Sequence, residues 1–539
     1  MKRTWAATAV AMIVSTVGAG CGDDEDTAVS VQMDAGVHDS GAPAVTIDGG
    51  GMDAQVHGRT PGPPPEVVAA AKEWPNANRD YAGTRSTFDS TIKGSNVATL
   101  TQAWTFELPG GGTFGAATAA PVVLNGVVYY VDMQSNVFAI DAKTGKQKWA
   151  KMYQTPGSGP NGVAVGWGKV FAPSSDHEFV ALDINTGNEL WKAPIVVPKN
   201  GGIGIAPIAY DELVYLSTVP VSGTSNYLGG VNGTFYALDQ ATGAIVWSFA
   251  TVQDSDLWGH SDINSGGGAW YPPTIDVERD VMYWGVGNPA PYPGTDQYPN
   301  GSSHPGDNLY TSSVVALGRA DGKLRWYYQD RPHDMFDLDF QNPPIPVSVS
   351  IGGVTRHLVI GSGKSGNVVG LDADRDGGVL WRTPVGKHQN DNVTVIPDAG
   401  VTVFPGDLGG VETPLAYADG TAYVAFCDQG RQFFPNRSGA LDDEGTGGLV
   451  AIDVSTGAVK WKKELPLQTY GSVTIVNDVV FVPTLDGKVY FYNRVTGDEV
   501  WTFMSPIGIN AAISVADDQV IMAAGAGIGV PQLIALKLP

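Results

Sequence analysis

A short frame repeated along this chain restricts its fold more than any other feature. The segments VFAIDAKTGKQKW, FVALDINTGNELW, FYALDQATGAIVW, VVALGRADGKLRW, LVAIDVSTGAVKW and VYFYNRVTGDEVW follow the frame apolar-x-A-apolar-D-x-x-T-G-x-x-x-W, with Gly318 and Asp321 replacing its Asp and Thr in the fourth and Phe491 and Asn493 replacing its Ala and Asp in the sixth, and VVGLDADRDGGVLW carries it with one residue inserted. Each copy reads as an alternating strand, then a turn in which Asp or Asn caps local amides and Gly takes a positive φ, then a second strand ending in Trp. The closing residues are Trp149, Trp191, Trp247, Trp326, Trp381, Trp461 and Trp501, and Trp104 in LTQAWTFEL supplies one more without its own hairpin frame.

A large anchor closing every unit is expected where sheets stack radially, each wedging its Trp against a neighbour. The fold class expected is therefore all-β, an eight-bladed β-propeller over residues 66–539. A solenoid or a pair of β-sandwiches calls for no such anchor. Because Trp104 precedes the first full repeat and strand-like GINAAISV and DQVIMAAG follow the last, the chain ends are expected to share one blade. The 70 Gly, 36 Pro and 14 Trp suit short strands and tight turns.

A formal charge of −23 argues against nucleic acid, which needs clustered Lys and Arg. An acidic surface favours a cationic partner instead. MKRTWAATAVAMIVSTVGAGC has the basic start and short apolar stretch of an export signal. Small residues before Cys21 resemble a lipoprotein processing site, so residues 1–21 are expected to be a signal peptide and Cys21 a lipid anchor. Residues 22–65, acidic and Gly/Pro-rich, read as a disordered tether. The expected location is periplasmic or elsewhere in the cell envelope, such as the outer membrane. Cys427 would then be the one cysteine of the folded part, a small buried hydrophobe rather than a reactive thiol.

The spacing between anchors roughly doubles between Trp247 and Trp326 and between Trp381 and Trp461, and insertions in repeat proteins usually gather on a functional face. The first insertion leads to DRPHDMFDLDF, residues 330–340. Read as buried sheet, it points Asp337 and Asp339 to one side, an arrangement that is costly unless a cation lies between them.

In order, GGGAW, GVGNPAP and HDMFDLD resemble the pyrroloquinoline quinone (PQQ) dependent alcohol dehydrogenases, the methanol dehydrogenase-like propellers, and the likeness runs from Trp74 through nearly the whole chain. That resemblance implies Trp270 as the floor beneath the quinone, Asn288 as an amide ligand of the metal, and Lys364 in IGSGKSGNVVGLD as the base bonded to the quinone oxygens. It implies Asp337 as catalytic base and metal ligand, and Asp339 as the extra carboxylate of lanthanide-using members. The cofactors implied are PQQ and Ca²⁺ or a lanthanide ion. The partners implied are a small alcohol and, since no C-x-x-C-H haem motif is present, a separate electron acceptor such as a cytochrome c.

Several positions depart from the family pattern. Thr118 stands for a cofactor-contacting Glu, Asn161 for a cofactor-binding Arg, Leu228 for the metal-ligand Glu, and Glu412-Thr413 for Asn-Trp. The adjacent-cysteine disulfide is missing. Asp339 could offset the carboxylate lost at Leu228, or no metal binds. A non-catalytic scaffold, like the outer-membrane assembly lipoproteins built on the same repeat, is the alternative to an enzyme. His333 is expected to be a packed, hydrogen-bonded imidazole.

Overall fold

The computed structural model describes residues 59–112, 114–196, 201–220, 228–229, 232–442 and 445–539. The segments assigned above to the signal peptide, and all of the tether before Arg59, lie outside the described residues. Among those described, secondary structure is almost entirely strand, and no helix is long and apolar enough to cross a membrane.

Antiparallel four-stranded sheets succeed one another along the chain, spanning 122–151, 164–194, 208–250, 274–329, 345–384 and 416–465. The sheet over 474–504 gains a fifth strand, Ser86–Thr87, paired in parallel with Ile475–Val476. In the remaining sheet Thr101–Glu107 pairs with the C-terminal strand Gln532–Lys537, so the two ends of the chain are hydrogen-bonded to each other. This is the shared sheet expected from Trp104.

The repeat frame has a physical explanation in how neighbouring sheets touch. Across each outer strand pair, Trp149, Trp191, Trp247, Trp326 and Trp461 lie opposite the frame's small residue, Ala139, Ala181, Ala237, Ala316 and Ala451, and Trp381 opposes Gly370. Each indole then reaches the turn of the next unit. A Cβ added to Gly145, Gly187, Gly243, Gly322, Gly377, Gly457 or Gly497 would come within 2.5–3.0 Å of the ring of Trp104, Trp149, Trp191, Trp247, Trp326, Trp381 or Trp461 respectively. These glycines also hold φ between 63° and 75°, which other residues adopt only with strain.

Many of the indoles donate into the same turn: Trp104 Nε1 to Ala142 O (2.8 Å), Trp149 to Ile184 O (3.0 Å), Trp191 to Gln240 O (3.0 Å) and Trp381 to Val454 O (2.8 Å). The turn itself is preset by its acid, as where Asp141 Oδ1 accepts from Thr144 N (2.9 Å) and Thr144 Oγ1 (2.7 Å). Frame and fold are thus one device, a Trp of one sheet keyed onto the Thr-Gly turn of the next.

The acid-rich stretch departs from its sequence reading. Residues 331–339 form no strand, and Asp337 has φ 60°, so its backbone is left-handed rather than extended. Asp334 organises this loop: its Oδ1 accepts from Phe336 N (3.0 Å) and its Oδ2 from Leu338 N (2.6 Å). Of its apolar residues only Phe340 joins a sheet core. Met335, Phe336 and Leu338 pack with Tyr292, Ile396, Val403 and Phe433, a satellite core shared by the two long insertions. Ile396 N donating to Asn300 Oδ1 (2.8 Å) and Asn300 N donating to Pro435 O (2.7 Å) tie those insertions together.

Candidate functional site

Asp337 and Asp339 emerge from that loop at its junction with two strand ends. Phe340 N donates to Val286 O (3.2 Å), which sets Asp339 beside the Gly287-Asn288 corner that follows the strand Val281–Gly285. Asn288 N donates to Asp339 Oδ1, and a Cβ on Gly287 would lie 3.0 Å from that same oxygen and 3.3 Å from Trp270 Nε1. On the other side the strand Val354–Ser362 ends in Gly363-Lys364, where any Cβ at 363 would run into Asp339 O. Glycine at both corners is what lets three backbone segments close on one pair of acids.

Lys364 completes the cluster. Its Nζ lies 3.0 Å from Asp337 Oδ2 and 3.1 Å from Asp339 Oδ2, the two carboxylates being 10% and 1% exposed. At an effective dielectric near 20 each pair attracts by about 5 kcal/mol before desolvation is subtracted, enough to hold two like charges side by side. Burial raises Asp337 well above the usual carboxylate range, Lys364 opposes it, and Asp339 and Asp407 add to the rise. Asp339 is raised by burial too, again against Lys364.

A further carboxyl stands nearby. Glu412 is pushed up to about 8 by burial, with Lys364 pulling it down and Asp339 and Asp407 pushing it up. Its Oε1 is enclosed without a hydrogen-bond partner. Its carbonyl oxygen accepts from Tyr271 Oη (3.2 Å) and Gln341 Nε2 (3.0 Å), which links the second insertion to Trp270's neighbour and to the acid loop. Sequence reasoning registered Glu412 only as a departure; its place beside Lys364 is a product of that cross-insertion contact. Asp407 is paired with Arg431 at 3.1 Å.

Trp270 is partly buried, and its six-membered ring abuts Gly159 and Gly204, where a Cβ would meet Cζ3 at 2.8 Å and 3.4 Å. With Thr118, Asn161, Thr413 and Asn510 it lines ≈ 420 Å³ of space, part of it open to solvent. Asn510 Oδ1, in the same lining, is enclosed without a partner. A flat indole facing open space beside an unpaired polar atom fits a planar, heteroatom-bearing ring such as PQQ. The named lining residues are neutral, so the match is to the ring system more than to its carboxylates.

The departing residues serve structural ends here. Asn161 is buried with φ 50°, its amide nitrogen donating to Ile203 O (3.1 Å) and Ser158 O (3.2 Å) in the orientation that satisfies both ends. Thr118 Oγ1 donates to Pro160 O (3.1 Å) and Thr413 Oγ1 to Gly471 O (3.3 Å). Leu228 is a turn residue, 37% exposed. Asp337 and Asp339 meet at Lys364 Nζ and Asn288 adjoins Asp339 through its backbone N, but among the described residues no three His, Cys, Asp or Glu side chains gather where they could hold a metal. Against the six or more oxygen ligands that Ca²⁺ takes, this donor set does not close a metal site. His333 Nδ1 is 3.2 Å from Asn308 Oδ1 and Cys427 is buried, both as expected.

Comparison with known proteins bears on the family and the fold. The family model described as "Glucose/ethanol/alcohol dehydrogenase, beta-propeller domain" matches residues 74–165 and 198–384, more than half of the chain, and one described as "Outer membrane protein assembly factor BamB" matches 364–533. The quinohemoprotein alcohol dehydrogenase of Comamonas testosteroni is 27% identical over 526 residues, 83% of this chain and 71% of that protein. The quinoprotein alcohol dehydrogenase PedH of Pseudomonas putida is 27% identical over 77% of this chain and 79% of its own. A europium-containing methanol dehydrogenase shares the fold, with a TM-score of 0.74 at 21% identity, covering 88% of this chain and 100% of that one. The repeat, the order of its motifs and these matches together place the chain in the PQQ-dependent alcohol dehydrogenase family of β-propeller oxidoreductases.

Proposed function

We propose that residues 66–539 form one eight-bladed propeller that oxidises an alcohol with PQQ, exported through residues 1–21, tethered by residues 22–65 and lipid-anchored at Cys21 in the cell envelope. The observation that carries the catalytic part is the buried cluster of Asp337, Asp339 and Lys364, which adjoins Trp270 Nε1 through the bare α-carbon of Gly287. The sheet order supports the blade count, and the acidic surface supports a cationic acceptor such as a basic cytochrome c.

Bound PQQ supplies a two-electron acceptor that the protein itself lacks. Asp337 accepts the hydroxyl proton of the alcohol, and its burial makes it a stronger base than an exposed carboxylate. Lys364 opposes the rise that burial imposes on Asp337 and fixes its orientation. Trp270 excludes water from one face of the space. The raised value of Asp337 means turnover rises with pH as the carboxylate forms.

Apoprotein given PQQ is expected to gain dye-linked alcohol oxidation, and Asp337→Ala to lose it by at least about a hundredfold while staying folded. Absence of PQQ uptake under every condition tried would refute the reading. A scaffold role is favoured by one observation, the match of 364–533 to an assembly-factor model, and predicts that Asp337→Ala changes nothing.

A further inference from the structure

The cation that balances Asp337 and Asp339 is supplied by the chain. Both acids are buried, and Asp339 already uses each oxygen, Oδ1 toward Asn288 N and Oδ2 toward Lys364 Nζ. Asn288 turns its amide nitrogen onto Pro289 O (2.8 Å), so this corner is hydrogen-bonded internally. Of the other acids nearby, Asp334 staples its own loop and Asp407 pairs with Arg431, while Glu412, whose Oε1 has no hydrogen-bond partner, joins no group of three acids able to hold a metal among the described residues. At the position where the family pattern places a third carboxylate, Leu228 offers a methyl-ended side chain on an exposed turn.

A metal ion entering here would have to displace an ammonium from two carboxylates at once and then tolerate that ammonium close by. From the protein it would gain at most two acids and one amide oxygen, leaving the rest of the shell a hard cation takes to the cofactor oxygens and water. The ammonium needs no such shell: a compact point charge with three donors is satisfied by the two carboxylates it already meets and the loop around it.

We propose that the Lys364 ammonium is the charge-balancing cation of this site in the working protein, in the place a metal ion would take, and that quinone uptake is therefore independent of metal. The second clause rests on the PQQ reading above; the first does not. In this site Lys364 carries two duties, neutralising the acid pair and orienting Asp337, and Leu228 offers a metal no carboxylate.

Full-length apoprotein titrated with Tb³⁺, read by tryptophan-sensitised luminescence, and with Ca²⁺, read by calorimetry, tests the first clause directly. Asp339→Asn serves as the background for weak surface binding. The expected result is that wild type and Asp339→Asn give the same unsaturable signal, whereas Leu228→Glu combined with Lys364→Met gains a saturable site at least about tenfold tighter than wild type. One equivalent of tightly held ion in the wild type, lost in Asp339→Asn, would overturn the proposal, as would a double variant as inert as its parent. PQQ uptake, followed by quenching of tryptophan fluorescence, is expected to be equal with chelator and with added Ca²⁺ or La³⁺; uptake that requires metal overturns the second clause. Failure to take up PQQ at all would count against the proposed function and the second clause, while the metal titration still decides the first.

Discussion

Replacing Arg85 tests what closes the ring of sheets. This side chain is fully buried, and burial lowers its guanidinium to about 9, with no ion pair to a carboxylate among the described residues to oppose it. It donates five hydrogen bonds: Nε to Val473 O (2.8 Å), Nη1 to Ala77 O (3.0 Å) and Asn78 Oδ1 (3.1 Å), Nη2 to Thr474 Oγ1 (2.9 Å) and Ile513 O (2.9 Å). Those acceptors belong to the N-terminal segment, the five-stranded sheet and the approach to the sheet that joins the chain ends. Bonds from a charged donor are worth about 1.5–3 kcal/mol each, but the desolvation of the buried cation takes back several kcal/mol, so Arg85→Met is expected to cost about 3–5 kcal/mol. That is a large fraction of the stability of a typical domain. Arg85→Lys keeps the charge but has three donors for five acceptors, and is expected to cost about 2–3 kcal/mol. Urea unfolding followed by tryptophan fluorescence reads both as a lower midpoint at unchanged slope. A loss below about 1 kcal/mol for Arg85→Met, or a lysine variant equal to wild type, would refute the clamp.

Lys364→Met leaves Asp337 and Asp339 facing without a counter-charge. Both acids then move further up from their unfolded values, and a raised carboxyl gives stability that is complete below the unfolded value and lost as pH rises. The deficit relative to wild type is therefore expected to grow from near zero at about pH 4 to about 3–5 kcal/mol at about pH 8, measured by denaturation across pH. Glu412, pushed up to about 8, makes the wild type lose stability over the interval from about 4.5 to 8. Glu412→Gln is expected to flatten that slope and to exceed wild type by about 1–3 kcal/mol above pH 8. Gly377→Ala places a Cβ 2.5 Å from the Trp326 ring at φ 75°, and a cost of about 2–3 kcal/mol in thermal or urea unfolding is expected.

Much of the fold was legible because it is built from local rules repeated many times. Asp141, Thr144 and Gly145 predict a turn from sequence alone, and the same turn recurs with the same residues because each neighbouring Trp needs a bare α-carbon beneath it. The shared sheet of the two chain ends followed from counting, since Trp104 has an anchor but no hairpin. Individual site residues were legible only through resemblance. Nothing in local pattern separates Lys364 from a surface lysine, or Glu412 from any other exposed acid, because both acquire their character from segments distant in the chain.

The acid stretch shows where the division falls. Its alternation of Phe336, Leu338 and Phe340 with acids is the pattern of a strand, yet Asp334 binds two amides of its own loop and the satellite core captures Phe336 and Leu338. By itself the sequence determined a strand-and-turn repeat closed by Trp and the turn glycines onto which seven of those Trp residues are keyed. Only the tertiary structure decided that Asp337 turns left-handed, that Lys364 lies between it and Asp339, and that Leu228 remains outside. The physical reason is that turn and strand preferences are set by neighbours in sequence, whereas the energy of a buried charge is set by whichever opposite charge the packing brings within about 3 Å.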